Sequence, residues 1–129
     1  MKMFRHLAVV AVLAFGASAV ASQDFETGLA AAGSGDYETA LKEWLPLAEN
    51  GDPSAQFNIG VMYENGQGVP QNDVEAVKWY RLAAMQGHQW AQINLGVMYA
   101  SGTGVQQDFV RADMWFTLAA ALSGEGSAT

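Results

Sequence analysis

Residues 91–105, AQINLGVMYASGTGV, repeat residues 55–69, AQFNIGVMYENGQGV, at a distance of 36 positions. The two stretches carry the same residue at ten of fifteen positions, which is too many for chance and makes them copies of one unit. The flanking sequence keeps this register, since Ala40 aligns with Ala76 and Val74 aligns with Val110. Repetition at a fixed period of about 20–50 residues is typical of arrays of stacked units. The repeat therefore decides the fold.

Each unit predicts two helices. Apolar residues recur at helical spacing within 72–85, at Ala76, Trp79, Tyr80, Ala83 and Ala84. Asn72 is predicted to cap this helix in a capping box with Glu75. In the other helix of the unit, Asp52 is the predicted cap and Pro53 the first helical residue. Pro46 predicts a kink or an early end in the preceding helix.

Positions that are the same in both copies are predicted to serve the repeat itself. They are Gly51, Gly60, Tyr63, Gly66, Gly68, Gly87, Gly96, Tyr99, Gly102 and Gly104. Gly60 and Gly96 lie within predicted helices, where glycine costs about 1 kcal/mol relative to alanine. We expect that the paired helix approaches closely at these two positions. Met62 and Met98 are predicted core residues.

The register divides the chain into five parts. They are a signal peptide (1–21), a degenerate leading helix with a linker (22–35), a first repeat (36–72), a second repeat (73–108), and a partial third repeat with a flexible tail (109–129). Trp115-Phe116 aligns with Trp79-Tyr80, so a third copy begins, but it stops after one helix. That closing helix is predicted to be unpaired, which would leave apolar surface open. Glu43-Trp44 stands where Trp79-Tyr80 is expected, so the aromatic of the first unit is predicted to be displaced by one position.

The N-terminus has the layout of a secretory signal peptide. Lys2 and Arg5 precede an apolar run over 7–15, and small residues follow up to Ala21. Cleavage after Ala21 is predicted, with a cut after Ala19 as the near alternative. An uncleaved membrane anchor is the other interpretation, although the run is shorter than the roughly 20 residues that span a bilayer. We therefore expect an exported protein, periplasmic in a Gram-negative bacterium or secreted, with no transmembrane segment after cleavage.

The chain is acidic and lacks cysteine. Its 6 basic and 13 acidic residues give a net charge of −7, and removal of Lys2 and Arg5 would leave 4 against 13, a charge of −9. Nucleic acid is therefore not an expected partner, because phosphate binding needs a basic surface. An acidic surface can also serve solubility alone. Without disulfides, stability must come from packing.

The two quoted strings, together with AVKWYRLAAMQGH at 76–88, resemble the Sel1-like repeat family, and the N-terminus suggests an exported bacterial member. The resemblance covers roughly residues 36–122. It implies an all-α fold in which helical hairpins related to tetratricopeptide repeats stack into a right-handed superhelix, an α/α solenoid. It also implies adaptor or scaffold work on protein partners.

No constellation typical of an enzyme or a metal site occurs in the sequence. His88 is the single histidine after the signal peptide and lies in a predicted turn, where a structural role is the expectation. No metal-binding spacing or phosphate-binding loop occurs. We expect no catalytic residue, no metal and no cofactor, and an envelope hydrolase is disfavoured.

Candidate partner-binding residues lie mainly beside the buried stripe, at aligned positions most of which differ between the copies. The candidates are Lys42, Leu45, Lys78, Arg81, Met85 and Trp90. In stacked hairpins of this family the first helices line the groove, so Lys78, Arg81 and Met85 predict a locally basic patch for an acidic or apolar peptide. An ordinary solvated face is the alternative. Trp90 is either an exposed anchor or local packing. The leading functional hypothesis is a protein-binding adaptor, and the alternative is a structural envelope protein that forms homo-oligomers through its open C-terminal end.

Overall fold

The chain folds into an array of helices, seen in a computed structural model that describes residues 24–124. Within that range there are six α-helices and no strand. They are α1 (Phe25–Gly33), α2 (Tyr37–Glu49), α3 (Pro53–Asn65), α4 (Asp73–Met85), α5 (Gln89–Ser101) and α6 (Phe109–Gly124). Extensive contacts join each helix to the next one along the chain. The predicted all-α solenoid is confirmed. The predicted signal peptide and residues 125–129 of the predicted tail lie outside the described residues.

Polar side chains begin the helices where the sequence predicts them. Asp52 accepts a hydrogen bond from the backbone nitrogen of Ala55 at 3.0 Å, and Pro53 is the first residue of α3. Asn72 accepts from the backbone nitrogen of Glu75 at 3.1 Å. The predicted capping box is nevertheless incomplete, because the backbone N–H of Asn72 donates to the carbonyl of Tyr63 at 2.9 Å and not to the Glu75 side chain. The cap of α4 therefore also ties it to α3.

The expected early end at Pro46 does not occur. Helix α2 continues through Pro46 to Glu49. A proline removes one backbone donor from a helix, but tertiary contacts hold α2 on both sides of it. Trp44 and Ala48 are buried, and the Ala48 carbonyl accepts a hydrogen bond from Nε2 of Gln56 at 3.0 Å.

Glycines allow three helix pairs to approach closely. A Cβ atom on Gly60 would lie 2.6 Å from the ring of Tyr80, and one on Gly96 would lie 2.6 Å from the ring of Phe116. Gly28 of α1 lies in the same way against the Trp44 ring of α2. The helix that approaches Gly60 is thus the following one, α4, because its aromatic ring occupies the space that a side chain would need.

These contacts show that the six helices form three equivalent hairpins, α1–α2, α3–α4 and α5–α6. Trp44 stands 36 residues before Tyr80 and makes the same kind of contact, so the predicted displacement of this aromatic is wrong. Gly28 and Trp44 are 16 residues apart where Gly60 and Tyr80 are 20 apart, because the α1–α2 connection is four residues shorter. The closing helix α6 is paired on one side with α5, and the expectation that it is unpaired is corrected accordingly.

The core consists of two clusters of small and large apolar side chains. The first contains Ala40, Trp44, Ala48, Ala55, Ile59 and Met62, and the second contains Ala76, Val77, Tyr80, Ala83, Ala84, Ala91, Leu95, Met98, Tyr99 and Ala112. Tyr63 is half-buried and packs against both clusters. The many alanines let neighbouring helix backbones lie close together, and Tyr63 links the two clusters.

Candidate partner-binding surface

The predicted patch on α4 is exposed to solvent. Lys78 and Arg81 are exposed, and Met85 exposes 73% of its surface. On α2, Lys42 is also exposed, whereas Leu45 is half-buried and packs against the first core cluster. Leu45 is thus part of the packing as well as of the surface, because its side chain reaches the neighbouring apolar residues.

Arg81 is anchored by Tyr99 of the next helix. Its Nη2 donates a hydrogen bond to Oη of Tyr99 at 2.9 Å. Arg111 of α6 approaches the same tyrosine, with Cζ 5.9 Å from the ring centroid. Two arginines from α4 and α6 therefore meet at one residue of α5. We call Arg81, Tyr99 and Arg111 the Tyr99 site.

Arg111 is held a second time, by Asp108. Its Nη1 lies 3.2 Å from Oδ2 of Asp108, and Oδ1 of the same carboxylate accepts from the Arg111 backbone nitrogen at 3.0 Å. The Arg111 side chain still exposes 63% of its surface. The sequence patterns did not single out Arg111. Its one signal in the sequence is a change of charge between copies, since the aligned residue in the second repeat is Glu75.

The cations on this surface are largely unneutralised, although the chain is acidic. Over residues 24–124, Arg111 and Asp108 form the single ion pair within 4.0 Å. Lys42, Lys78 and Arg81 have no acidic partner at that distance in the same part of the chain. Three exposed cations therefore lie without a close acidic partner on a chain with a net charge of −7.

Trp90 does not join this surface. It exposes 64% of its area at the start of α5, which favours the exposed alternative over local packing. Trp90 and Tyr99 are nine residues apart on the same helix, which is about two and a half turns and places them on opposite sides. Of the six candidates, the structure thus brings Arg81 to Tyr99 and sets Trp90 apart.

Helix α6 carries an exposed apolar stripe at four-residue spacing. The α6 stripe consists of Val110, Met114, Leu118 and Leu122, which expose 81, 45, 45 and 45% of their surfaces. The aligned residues on α4 are Val74, Lys78, Leu82 and Gln86, and those on α2 are Glu38, Lys42, Pro46 and Asn50. The stripe thus changes from polar on α2 to wholly apolar on α6. Over residues 24–124, no helix is long and apolar enough to cross a membrane.

The titratable residues of the core have structural roles. Nδ1 of His88 caps α5 by accepting from the backbone nitrogen of Ala91 at 3.2 Å, and burial lowers the pKa of His88 against the opposing charge of Asp52. Burial also raises the pKa of Tyr80, helped by the hydrogen bond that its hydroxyl donates to the Glu64 carboxylate. Within 24–124 no group of three acidic or histidine side chains could hold a metal ion.

Comparison with known proteins identifies the repeat. A sequence model of the Sel1 repeat matches residues 53–88 and 91–124, more than half of the chain. These spans correspond to the hairpins α3–α4 and α5–α6, whereas the predicted units pair α2 with α3 and α4 with α5. In a continuous array each inner helix packs on both neighbours, so both divisions describe the same helices.

Solved structures share the fold. A Sel1 repeat protein from Oxalobacter formigenes is similar over 77% of this chain and 41% of its own, with a TM-score of 0.73 and 36% identity. A protective antigen of uropathogenic Escherichia coli strains, described as displaying an SLR fold, is similar over 67% of this chain and 18% of its own, with a TM-score of 0.65 and 43% identity.

The curated relatives are much longer than the regions they share with this chain. DAP3-binding cell death enhancer 1 from Rattus norvegicus is 42% identical over 53 residues, 41% of this chain and 10% of that protein. An exopolysaccharide production negative regulator from Rhizobium meliloti is 36% identical over 63 residues, 49% of this chain and 24% of that protein. What these proteins share with the chain is the repeat, and Sel1 repeat proteins are generally protein–protein interaction modules built on a typically non-catalytic scaffold. The chain therefore belongs to the Sel1 repeat family.

Proposed function

We propose that this chain is an exported adaptor that holds a segment of a partner protein against the exposed side of α4 and its neighbours. The observation that carries this proposal is the set of exposed cations without acidic partners, Lys42, Lys78 and Arg81, on an acidic protein. Charges that the protein does not neutralise itself are available to a partner, and they set its orientation and rate of association. The Rhizobium relative, named as a negative regulator, is consistent with an adaptor that acts on another protein.

Site-specific crosslinking tests the adaptor proposal. A photoreactive residue at position 78 of α4 lies on the proposed surface. A photoreactive residue in place of Trp90 lies on the side of α5 opposite to Tyr99. We expect position 78 to capture one partner protein in cells and position 90 to capture none. Arg81→Glu reverses the local charge and should reduce capture at position 78. Equal capture from both sides, or capture unaffected by Arg81→Glu, would contradict the proposal.

Export rests on the N-terminal sequence and has its own test. Lys2, Arg5 and the apolar run at 7–15 favour translocation, and the small residues before Ser22 favour cleavage there. The full chain, expressed in a Gram-negative host, should be found in the periplasm. Its mass should be that of a chain that begins at Ser22. Full-length protein in the cytoplasm would refute export and leave the adaptor proposal standing.

A second candidate function is self-association through the α6 stripe. If two copies packed their α6 helices antiparallel, Val110 would face Leu122 and Met114 would face Leu118, so the stripe is complementary to itself. The aligned stripes on α2 and α4 lack this property because they carry Lys42 and Lys78. The stripe therefore favours a second copy as its occupant.

Sedimentation measurements test self-association. Wild-type protein should form dimers as its concentration rises. Leu118→Glu should stay monomeric, because dimer formation would bury the new carboxylate in the contact. Leu82→Glu is the matched control, since Leu82 aligns with Leu118 and exposes 42% of its surface against 45%. It should dimerise like wild type. A wild-type monomer at all concentrations would exclude this function.

A further inference from the structure

We infer that the Tyr99 site binds a carboxylate, supplied by an acidic side chain of a partner segment. This inference rests on the proposed adaptor function and specifies the chemistry that it recognises. Arg81 and Arg111 come from α4 and α6 and meet at Tyr99 of α5, so the site spans three consecutive helices.

The guanidinium groups of Arg81 and Arg111 are both held in place, and both keep N–H donors that are not used within the protein. Arg81 uses Nη2 for Tyr99, and Arg111 uses Nη1 for Asp108. A guanidinium group has five N–H donors, so most donors of both groups stay available to a ligand. Because each group is already anchored, less rotational freedom is lost when a ligand binds. Carboxylates match this planar arrangement of donors.

The site is specific to one position in the array. Tyr99 aligns with Tyr63, but Arg81 aligns with Leu45 and Arg111 aligns with Glu75. The corresponding place between α2 and α4 therefore has no arginine and one negative charge. If the two arginines only stabilised the repeat, the first unit would need them as well, and it folds without them.

The charge balance favours a ligand with one or two carboxylates over a polyanion. Arg81 has no acidic partner within 4.0 Å among residues 24–124, and Asp108 neutralises one of the two arginines. The whole chain has a net charge of −7, which repels a long polyanion such as nucleic acid. A short acidic peptide places its charge at the local positive site without this penalty.

A nuclear magnetic resonance titration of the isotope-labelled protein tests the inference. The probe is a Gly/Ser decapeptide with a central Glu-Glu pair and an amidated C-terminus, and the matched probe has Gln-Gln in place of Glu-Glu. We expect the Glu-Glu peptide to shift the signals of the Arg81 and Arg111 side chains and of Tyr99, and the Gln-Gln peptide to leave them unchanged. Arg81→Gln or Arg111→Gln should each weaken Glu-Glu binding about tenfold, as expected for the loss of a charge-assisted hydrogen bond.

Leu29→Glu provides the control, because Leu29 is exposed on α1, outside the Tyr99 site, and the change lowers the net charge by one as Arg81→Gln does. It should leave the affinity unchanged, and thermal melts should show that all variants are folded. Equal binding of both peptides, or equal weakening by Leu29→Glu, would overturn the site. If the Glu-Glu peptide does not bind while position 78 still captures a partner, the carboxylate inference fails and the adaptor proposal survives.

Discussion

Nε2 of Gln86 donates a hydrogen bond to Oε1 of Gln56 at 2.8 Å, which joins the end of α4 to the first turn of α3. Both residues have equivalents 36 positions on, and these are Gln92 and Leu122. Gln92 repeats the other bond of Gln56, since its Nε2 donates to the Ala84 carbonyl at 3.1 Å. Its Oε1 is buried and has no partner among residues 24–124, because leucine at position 122 has no donor to offer.

Leu122→Gln is therefore expected to stabilise the protein. A donor at position 122 would satisfy Oε1 of Gln92 and raise the free energy of unfolding by about 1 kcal/mol. Thermal melting measures the change, with Leu122→Met as a control of similar volume that adds no donor. If Leu122→Gln melts no higher than Leu122→Met, the unpaired Oε1 of Gln92 does not lower the stability of the protein.

Adding a side chain at Gly60 should cost more than adding one at Gly96. The Tyr80 ring above Gly60 is fully buried and cannot move aside, whereas the Phe116 ring above Gly96 exposes 37% of its surface. Overpacking of a rigid site costs about 1–3 kcal/mol, so Gly60→Ala should lower the unfolding free energy by that amount and Gly96→Ala by less. The larger Gly96→Leu should lower the melting temperature clearly. Chemical denaturation of the variants checks the order, and an unchanged melt for Gly96→Leu would refute the close approach.

Because of His88, the free energy of unfolding should decrease as the pH is lowered below about 6.5. Burial lowers the pKa of His88 in the folded state, and its Nδ1 must stay unprotonated to cap α5. The unfolded chain then takes up a proton first, so this contribution is complete above the unfolded pKa of about 6.5 and is lost as pH falls below it. His88→Asn keeps a capping oxygen without titration and should flatten the dependence of melting temperature on pH in this range. An equally steep dependence in this variant would assign the effect to other groups.

Tyr80 should have the opposite effect at alkaline pH. Its pKa is raised by burial and by the Glu64 carboxylate, so the folded state resists ionisation. The unfolded tyrosine ionises near pH 10, and stability is therefore lost as pH rises above about 10. Ultraviolet absorbance should show one tyrosine that ionises together with unfolding, and Tyr80→Phe should remove that component. A full set of tyrosines that titrates normally in the folded protein would contradict this account.

Helix positions and caps followed from local sequence. Asp52 and Asn72 act on residues within a turn of themselves, so pattern and position are sufficient to place them. Pro46 misled for the same reason, since the contacts that carry α2 past it come from Trp44 and Ala48 and their neighbours in other helices. The rule that proline disfavours a helix interior describes the lost backbone donor correctly, but it does not include packing against other helices.

The Tyr99 site could be predicted only in part. Arg81 was identified because it differs from Leu45 at the same register, and Tyr99 because it matches Tyr63. Their hydrogen bond, and the approach of Arg111 from a third helix, depend on how α4, α5 and α6 pack. A comparison of two copies shows which residues vary, whereas the distances between helices decide which of them meet.

Because extensive contacts join each helix only to its sequence neighbours, the cooperativity of this molecule is one-dimensional. Helices α2 to α5 are held from both sides, with α3 and α4 at the centre, while α1 and α6 each have one flank among the described helices. Backbone amides should therefore exchange with solvent first at the two ends and last at the α3–α4 junction. A molecule bound along α6 would pack against it as a further helix of the array would. Its binding would therefore slow amide exchange in α5, although the molecule makes no contact with α5.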